Sequence, residues 1–293
     1  MAKERQKKDR ARIGLALGGG AARGLAHIGV LKVLEENAIT VDFIAGTSVG
    51  SLVGGAYASG ISIKELIELA HQIRWRDIGS LTLSRMGLSS NARLEEFIRA
   101  RFPVTSFEQM RIPLAVVATD LATGRMVVFN EGDAALAIRA SCAIPGIYTP
   151  VVDDKKRMLA DGALVNNLPA SIVRAMGADR VIAVDVNAHL QLFSPPSNVF
   201  QVLMQSISLM TRASERYLRE DADLVVQPKI IDIKWDELER VDELIAAGEE
   251  AMKGALEQAR QLLEKPRRGL LQRLRSAFAP GRAEKKEASL RMR

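Results

Sequence analysis

Thr40-Val41-Asp42-Phe43-Ile44-Ala45-Gly46-Thr47-Ser48-Val49-Gly50-Ser51-Leu52-Val53-Gly54-Gly55-Ala56-Tyr57-Ala58-Ser59 is the stretch from which the rest of the chain can be read. Thr40–Ala45 has the look of a short buried strand, and Ser51–Ser59 of a small-residue helix stopped by Gly60. Between them lies Gly46-Thr47-Ser48-Val49-Gly50, and strand, Gly-x-Ser-x-Gly, helix is the context of a nucleophile elbow. On such a turn the Ser48 hydroxyl projects clear of the backbone. Gly46 and Gly50 lack a Cβ, so strand and helix can close around it. The amide of Val49, at the helix start, can face an oxyanion forming beside Ser48. The competing reading is a glycine-rich turn with an ordinary serine, and the flanking elements weigh against it.

Upstream, Ile13–Leu17 reads as a strand and Leu25–Asn37 as a helix, with Ile28, Leu31 and Leu34 at helical spacing. The chain thus opens strand–helix–strand–helix, which argues for a mainly parallel sheet covered by helices, an α/β fold. The loop between, Gly18-Gly19-Gly20-Ala21-Ala22-Arg23-Gly24, fails as a dinucleotide fingerprint because Arg23 stands where the third glycine is required. No Gly-Lys-Ser/Thr follows, so it is not a phosphate-binding P-loop either. The reading that explains more is an oxyanion hole from the amides of Gly19, Gly20 and Ala21, with Arg23 fixing the loop or meeting an anion.

A serine nucleophile needs a base. Of three histidines, His27 lies within the first helix, His71 ends another, and His189, after a strand, is the one triad candidate. The rival is Asp161, placed after a short strand and before Gly162, where a tight turn can hold a carboxylate. Partial burial would raise its low pKa and improve it as a proton acceptor. Asp120, at another strand end, is a further candidate or a turn residue. Cys142 reads as a small packed side chain rather than a nucleophile. There is no His-Glu-x-x-His, cysteine cluster or calcium-loop spacing, so no metal and no cofactor is expected.

Further along, 62–72 reads as an amphipathic helix and Asn91–Arg101 as a helix N-capped by Asn91, with an irregular lid or surface excursion at 75–90 between them. Strands are expected at 113–119, 125–129, 158–160, 180–186 and 224–226, and helices at 133–141 and 171–176. Val199–Arg219 reads as a long helix whose stripe Phe200, Leu203, Met204, Ile207 and Met210 is expected to be core, an acyl-chain surface being the alternative. Trp235–Glu264 reads as mostly helical.

The chain has 293 residues, 47% hydrophobic and 26% charged, enough for one large core. No apolar run reaches the roughly 18–20 residues of a bilayer span, and nothing like a signal peptide follows the charged start. A single cysteine excludes an internal disulfide and fits a reducing compartment, so the expected location is cytoplasmic. Residues 1–12 carry a net charge of +4 and 265–293 of +8. The whole chain carries +6, so residues 13–264 carry −6. An acidic body argues against nucleic acid as a partner. The basic ends are either solvated tails or contacts for anionic lipid at the inner face of a membrane. Leu270, Leu271, Leu274 and Phe278, with arginines interleaved, could lie on one side of an interfacial helix, and 280–293 is expected to be disordered.

Leu17–Gly24, Gly46–Gly50 and Asp161-Gly162-Ala163, in this order, resemble the patatin-like phospholipase family. Ala26–Leu31, Ala118–Gly124, Ala140–Gly146 and Asp161–Pro169 are similar to it as well, and the resemblance covers roughly residues 13–190. It implies a three-layer α/β/α sandwich with a mainly parallel central sheet. It implies a serine–aspartate dyad with Ser48 as nucleophile and Asp161 as proton acceptor, no histidine being needed. The oxyanion hole would comprise Gly19, Gly20, Ala21 and Val49, with Gly18, Arg23, Gly24, Gly46, Gly50 and Gly162 supporting loop and elbow. The implied activity is metal-independent hydrolysis of phospholipid or lysophospholipid acyl esters, as in the bacterial lysophospholipase or neuropathy-target-esterase group. Ala22 stands where many members carry glycine or another small residue. The expected division is a basic arm at 1–12, a catalytic region at 13–190, a helical part of the same domain at 191–264 and a basic tail at 265–293. The competing functions are a Ser-His-Asp triad esterase using His189 and a membrane-associated scaffold with little turnover.

Overall fold

Alternation along four neighbouring strands divides the core into two layers. In the computed structural model, which describes residues 10–189 and 195–264, Leu15, Leu17, Ile44, Leu114, Val116, Ile182 and Val184 join one buried cluster. The residues between them, Ala16, Ala45, Ala115, Val181 and Ala183, join another. A strand turns successive side chains to opposite faces, so these are the two faces of one sheet. Helices Ala26–Glu36, Val49–Ser59, Ala92–Arg101, Ala134–Ser141 and Val241–Gly254 contribute to the large-residue side. Ala170–Ala175 and the end of Val199–Leu218 cover the alanine side, where short side chains leave room for a close helix layer. This is the expected three-layer arrangement.

The strands are β1 (Ile13–Leu17), β2 (Val41–Thr47), β3 (Ser80–Ser84), β4 (Gly87–Ser90), β5 (Leu114–Asp120), β6 (Met126–Phe129), β7 (Val151–Val152), β8 (Met158–Asp161), β9 (Arg180–Val184) and β10 (Leu224–Val226). The main sheet has the order β10-β9-β1-β2-β5-β8-β7, with β6 also paired to β5. It is parallel from β10 to β5, while β6, β7 and β8 pair antiparallel. Leu17 pairs with Gly46 and Val184, and Thr47 with Val117. The carboxyl ends of β1, β2 and β9 therefore lie at one edge of the sheet. Antiparallel β8 brings Asp161 beside Ala118 at the same edge.

Several local expectations are corrected. Residues 75–90 are ordered as a helix, Trp75–Ile78, and the hairpin β3–β4. The hairpin is tied to the loop before β7 by Ser89 N–H to the Ile147 carbonyl (2.9 Å) and Thr149 N–H to the Ser89 carbonyl (2.8 Å). Asn91 precedes its helix but makes no capping bond; its side chain bonds the Arg139 carbonyl and Nε instead. The reading of Trp235–Glu264 as mostly helical holds, with helices at Val241–Gly254 and Leu256–Leu262 after an irregular Trp235–Arg240. The stripe on Val199–Leu218 is not core: Leu203 is 58% and Met210 74% exposed, with Met204 and Ile207 half-buried. Among the described residues no helix is long and apolar enough to cross a membrane. The expectations for the arm up to residue 9, the Leu270–Phe278 segment and the end at 280–293 fall outside the described residues.

Candidate active site

β2 ends at Thr47 and the next helix starts at Val49, so the whole reversal falls on Ser48. Its backbone stands at φ 53° and ψ −128°, a left-handed conformation that a residue with a Cβ adopts only under constraint from its surroundings. The constraint comes from close packing. A Cβ on Gly50 would lie 2.2 Å from the Leu17 carbonyl oxygen, and one on Gly162 2.2 Å from that of Val117. The Ser48 N–H donates to Ser141 Oγ at 2.7 Å, and Ser141 Oγ donates to the Val117 carbonyl at 2.6 Å. The Ser48 carbonyl takes bonds from Ser51 Oγ (2.6 Å) and the Ser51 N–H (2.8 Å).

Ser48 Oγ donates to Asp161 Oδ2 at 2.6 Å, with both residues buried. The other carboxylate oxygen accepts the Ala163 N–H at 2.9 Å. The Asp161 N–H donates to the Ala143 carbonyl (2.9 Å), and its carbonyl accepts from Thr119 Oγ1 (2.8 Å). Burial pushes the Asp161 carboxyl up to about 6, against the lowering effect of its bonds from Ser48 and Ala163. Such a carboxylate is ionised at neutral pH and accepts a proton more readily than an exposed one.

The Gly18–Gly24 loop meets this pair. A Cβ on Gly19 would lie 3.1 Å from Ser48 Cβ. The Gly19 N–H, expected among the oxyanion donors, donates to the Asn167 carbonyl at 3.2 Å and is already engaged. The amides of Gly20, Ala21 and Val49 have no acceptor among the described residues. Ala21 also has a positive φ, 49°, so the loop carries a second strained turn. Arg23 is buried, donates from Nε to Asn187 Oδ1 at 3.1 Å, and is pushed down to about 10 by desolvation.

The other expected candidates stand apart. His189 is exposed, and neither side chain of the Ser48–Asp161 pair bonds to it. Asp120 accepts from the Ala122 N–H (3.0 Å) and Thr123 Oγ1 (2.8 Å), which makes it the turn residue between β5 and β6. Burial raises the Cys142 thiol far above its usual range. His71 lies at the surface, 3.1 Å from Asp242. His27, read only as a helix residue, is fully buried with Nε2 2.8 Å from the Gly18 carbonyl. Desolvation lowers it to about 4, so it is neutral and donates to the loop through Nε2. No sequence signal singles out Ser141, Asn167, Asn187 or Glu215 as part of the site. Ser141 and Asn167 lie in stretches that carry the resemblance, whereas Asn187 and Glu215 have no motif around them.

Comparison with known proteins decides the family. The family model described as patatin-like phospholipase matches residues 15–174, more than half of the chain. The chain belongs to the patatin-like phospholipase family. An uncharacterized NTE family protein of Mycobacterium tuberculosis is 40% identical over 179 residues, 60% of this chain and 49% of that protein. Lysophospholipase NTE1 of Mycosarcoma maydis is 38% identical over 182 residues, 60% of this chain and 10% of that protein. Human patatin-like phospholipase domain-containing protein 6 is 37% identical over 185 residues, 60% of this chain and 13% of that protein. The match thus spans half or less of these curated relatives. Among solved structures, VipD from Legionella pneumophila has a TM-score of 0.53 at 12% identity, over 86% of this chain and 67% of that one, a likeness of fold. The patatin-like fold expected from the sequence motifs is the fold observed.

Proposed function

We propose that this chain is a serine hydrolase of the acyl esters of phospholipids or lysophospholipids, working through a Ser48–Asp161 dyad. One observation carries the reading: a buried 2.6 Å bond from Ser48 Oγ, on a strained turn, to a carboxylate whose pKa burial has raised. Ser48 Oγ attacks the ester carbonyl carbon as its proton passes to Asp161 Oδ2. The oxyanion is met by the N–H groups of Gly20, Ala21 and Val49, loop and elbow amides that have no acceptor among the described residues. The tetrahedral adduct collapses, the protonated Asp161 gives its proton to the departing alcohol, and the acyl group stays on Ser48. Water then attacks the acyl carbon as it gives a proton to Asp161, and the second adduct collapses to the fatty acid as Asp161 returns that proton to the departing Ser48 Oγ. The lipid substrate class rests on family membership and on the likeness to lysophospholipase NTE1 of Mycosarcoma maydis. Within this reading residues 13–190 form the catalytic region and 191–264 complete the same domain.

A fluorophosphonate probe, which reacts with an activated serine whatever the substrate, tests the dyad alongside hydrolysis of lysophosphatidylcholine in micelles. Ser48→Ala and Asp161→Asn should each lower labelling and turnover by about 10³-fold or more, and His189→Ala should lower neither. Full activity in Ser48→Ala would remove the proposal. Dependence on His189 would replace the dyad with a triad.

A further inference from the structure

Three segments far apart in the chain converge behind the glycine loop. Asn187 lies just beyond β9, Asn167 follows Asp161-Gly162, and Glu215 and Arg219 stand at the end of the helix Val199–Leu218. Asn187 Nδ2 donates to the Gly19 carbonyl at 2.7 Å, and Asn167 Nδ2 approaches the same oxygen at 3.5 Å. Asn167 Nδ2 also donates to Glu215 Oε1 at 2.8 Å. Asn187 is itself held: its Oδ1 accepts from Arg23 Nε at 3.1 Å, and its N–H donates to Asp185 Oδ1 at 3.0 Å. Asp185 Oδ2 in turn takes Arg219 Nε at 2.9 Å. Arg23, Asn167, Asn187, Asp185 and Glu215 are all buried.

The orientation of the Asn187 amide follows from its neighbours. Arg23 Nε can only donate and the Gly19 carbonyl can only accept, so Oδ1 must face the arginine and Nδ2 the glycine. The Gly19 carbonyl and the Gly20 N–H belong to one peptide unit. No peptide bond here is cis, so the two groups point in opposite directions. Anchoring the carbonyl on Asn187 therefore turns the Gly20 N–H away from the buried cluster, and that N–H has no acceptor among the described residues. Glycine at both positions would otherwise let this peptide rotate with little steric cost.

We propose that Asn187 is a positioning residue for the reaction: it fixes the Gly19–Gly20 peptide plane so that the Gly20 N–H is aimed at the developing oxyanion, with Asn167, itself held by Glu215, approaching the same carbonyl. This rests on the reading of the Gly18–Gly24 loop as the oxyanion hole. The role differs from substrate binding, since the Asn187 side-chain amide is taken up by Arg23 and the Gly19 carbonyl.

Asn187→Asp tests it. The variant keeps the side-chain shape and the acceptor for Arg23 Nε and loses the donor to Gly19; Asn187→Ala loses both. Turnover of a soluble p-nitrophenyl acyl ester is measured together with thermal unfolding and a crystal structure of each variant. The expected result is a fall in kcat of about 10²-fold with KM within about twofold, in a folded protein whose Gly19–Gly20 peptide has rotated. An unchanged kcat with the peptide in place overturns the proposal, as does a fall in kcat without rotation. Rotation with unchanged kcat removes Gly20 from the oxyanion hole, and Asn187 from the reaction with it. Should both variants fail to fold, the wild type carrying a phosphonate on Ser48 decides. The phosphoryl oxygen should lie about 3 Å from the Gly20 nitrogen while the Gly19 carbonyl remains on Asn187. A Gly20 N–H turned elsewhere overturns the assignment. If wild-type protein neither hydrolyses the ester nor takes the probe, the hydrolase reading fails, and the rotation of the peptide in the variants still decides whether Asn187 holds it.

Discussion

Asp161 must be buried to be basic and must still ionise to act. With its carboxyl pushed up to about 6, the fraction able to accept the Ser48 proton rises through that pH. Log kcat/KM should climb with unit slope below about pH 6 and level off above it, which a pH–rate profile on a soluble ester will show. A profile with its midpoint near 4 would mean that Asp161 titrates as an ordinary carboxylate. Ser48 carries a separate cost in its backbone. Ser48→Ala and Ser48→Gly both lose the hydroxyl, so the difference between them reads the strain at φ 53°. Glycine should be the more stable by about 1 kcal/mol in urea denaturation. The nucleophile, the carboxylate and the glycine loop were legible in the sequence because each depends on a short local turn. Asn187 and Ser141 were not, because they act across 168 and 93 residues of chain on Gly19 and Ser48. No local pattern marks a side chain whose meaning lies in the far end of its hydrogen bond.

Among the elements, the end of the helix Ala134–Ser141 is where the elbow is held. Ser141→Ala leaves the buried Ser48 N–H without its acceptor, and the loss should be about 1–3 kcal/mol in chemical denaturation. The helix Val199–Leu218 shows the limit of periodicity as evidence. Apolar residues at helical spacing establish that a helix has an apolar face, but not that anything covers it. Here the C-terminal end is anchored through Glu215 and Arg219, while Leu203 and Met210 stand exposed. Leu203→Ser and Met210→Ser should each alter stability by no more than about 0.5 kcal/mol, whereas a core position would lose several times that. Thermal melts of the two variants separate these cases. The strands were read more securely: β1, β5 and β9 are buried along nearly their whole length, and continuous apolar runs bounded by turns have few other homes.

Across the whole molecule, two buried titrating groups near the glycine loop pull stability in opposite directions with pH. Asp161 is raised from 3.8 to about 6, so the stability it contributes is full below pH 3.8 and is lost as pH rises through 6. His27 is lowered from 6.5 to about 4, so its contribution is full above pH 6.5 and is lost as pH falls through 4. Each is worth on the order of 3 kcal/mol across its window, and the windows nearly coincide. Asp161→Asn should therefore uncover a loss of stability between pH 6.5 and 4 that the wild type largely masks, measurable by denaturant titrations at stepped pH. The bookkeeping of hydrogen ions shows the same thing from the other side. At pH 5 the folded chain keeps a proton on Asp161 and none on His27, and the unfolded chain reverses this. Unfolding there moves one proton from a carboxylate to an imidazole, and this pair exchanges almost none with the buffer. A calorimeter run in buffers of different ionisation heat would read that hidden transfer as a difference between two proteins, the unfolding enthalpy of Asp161→Asn depending on the buffer by about one proton more than that of the wild type. In Asp161→Asn the same unfolding must draw its proton from solution.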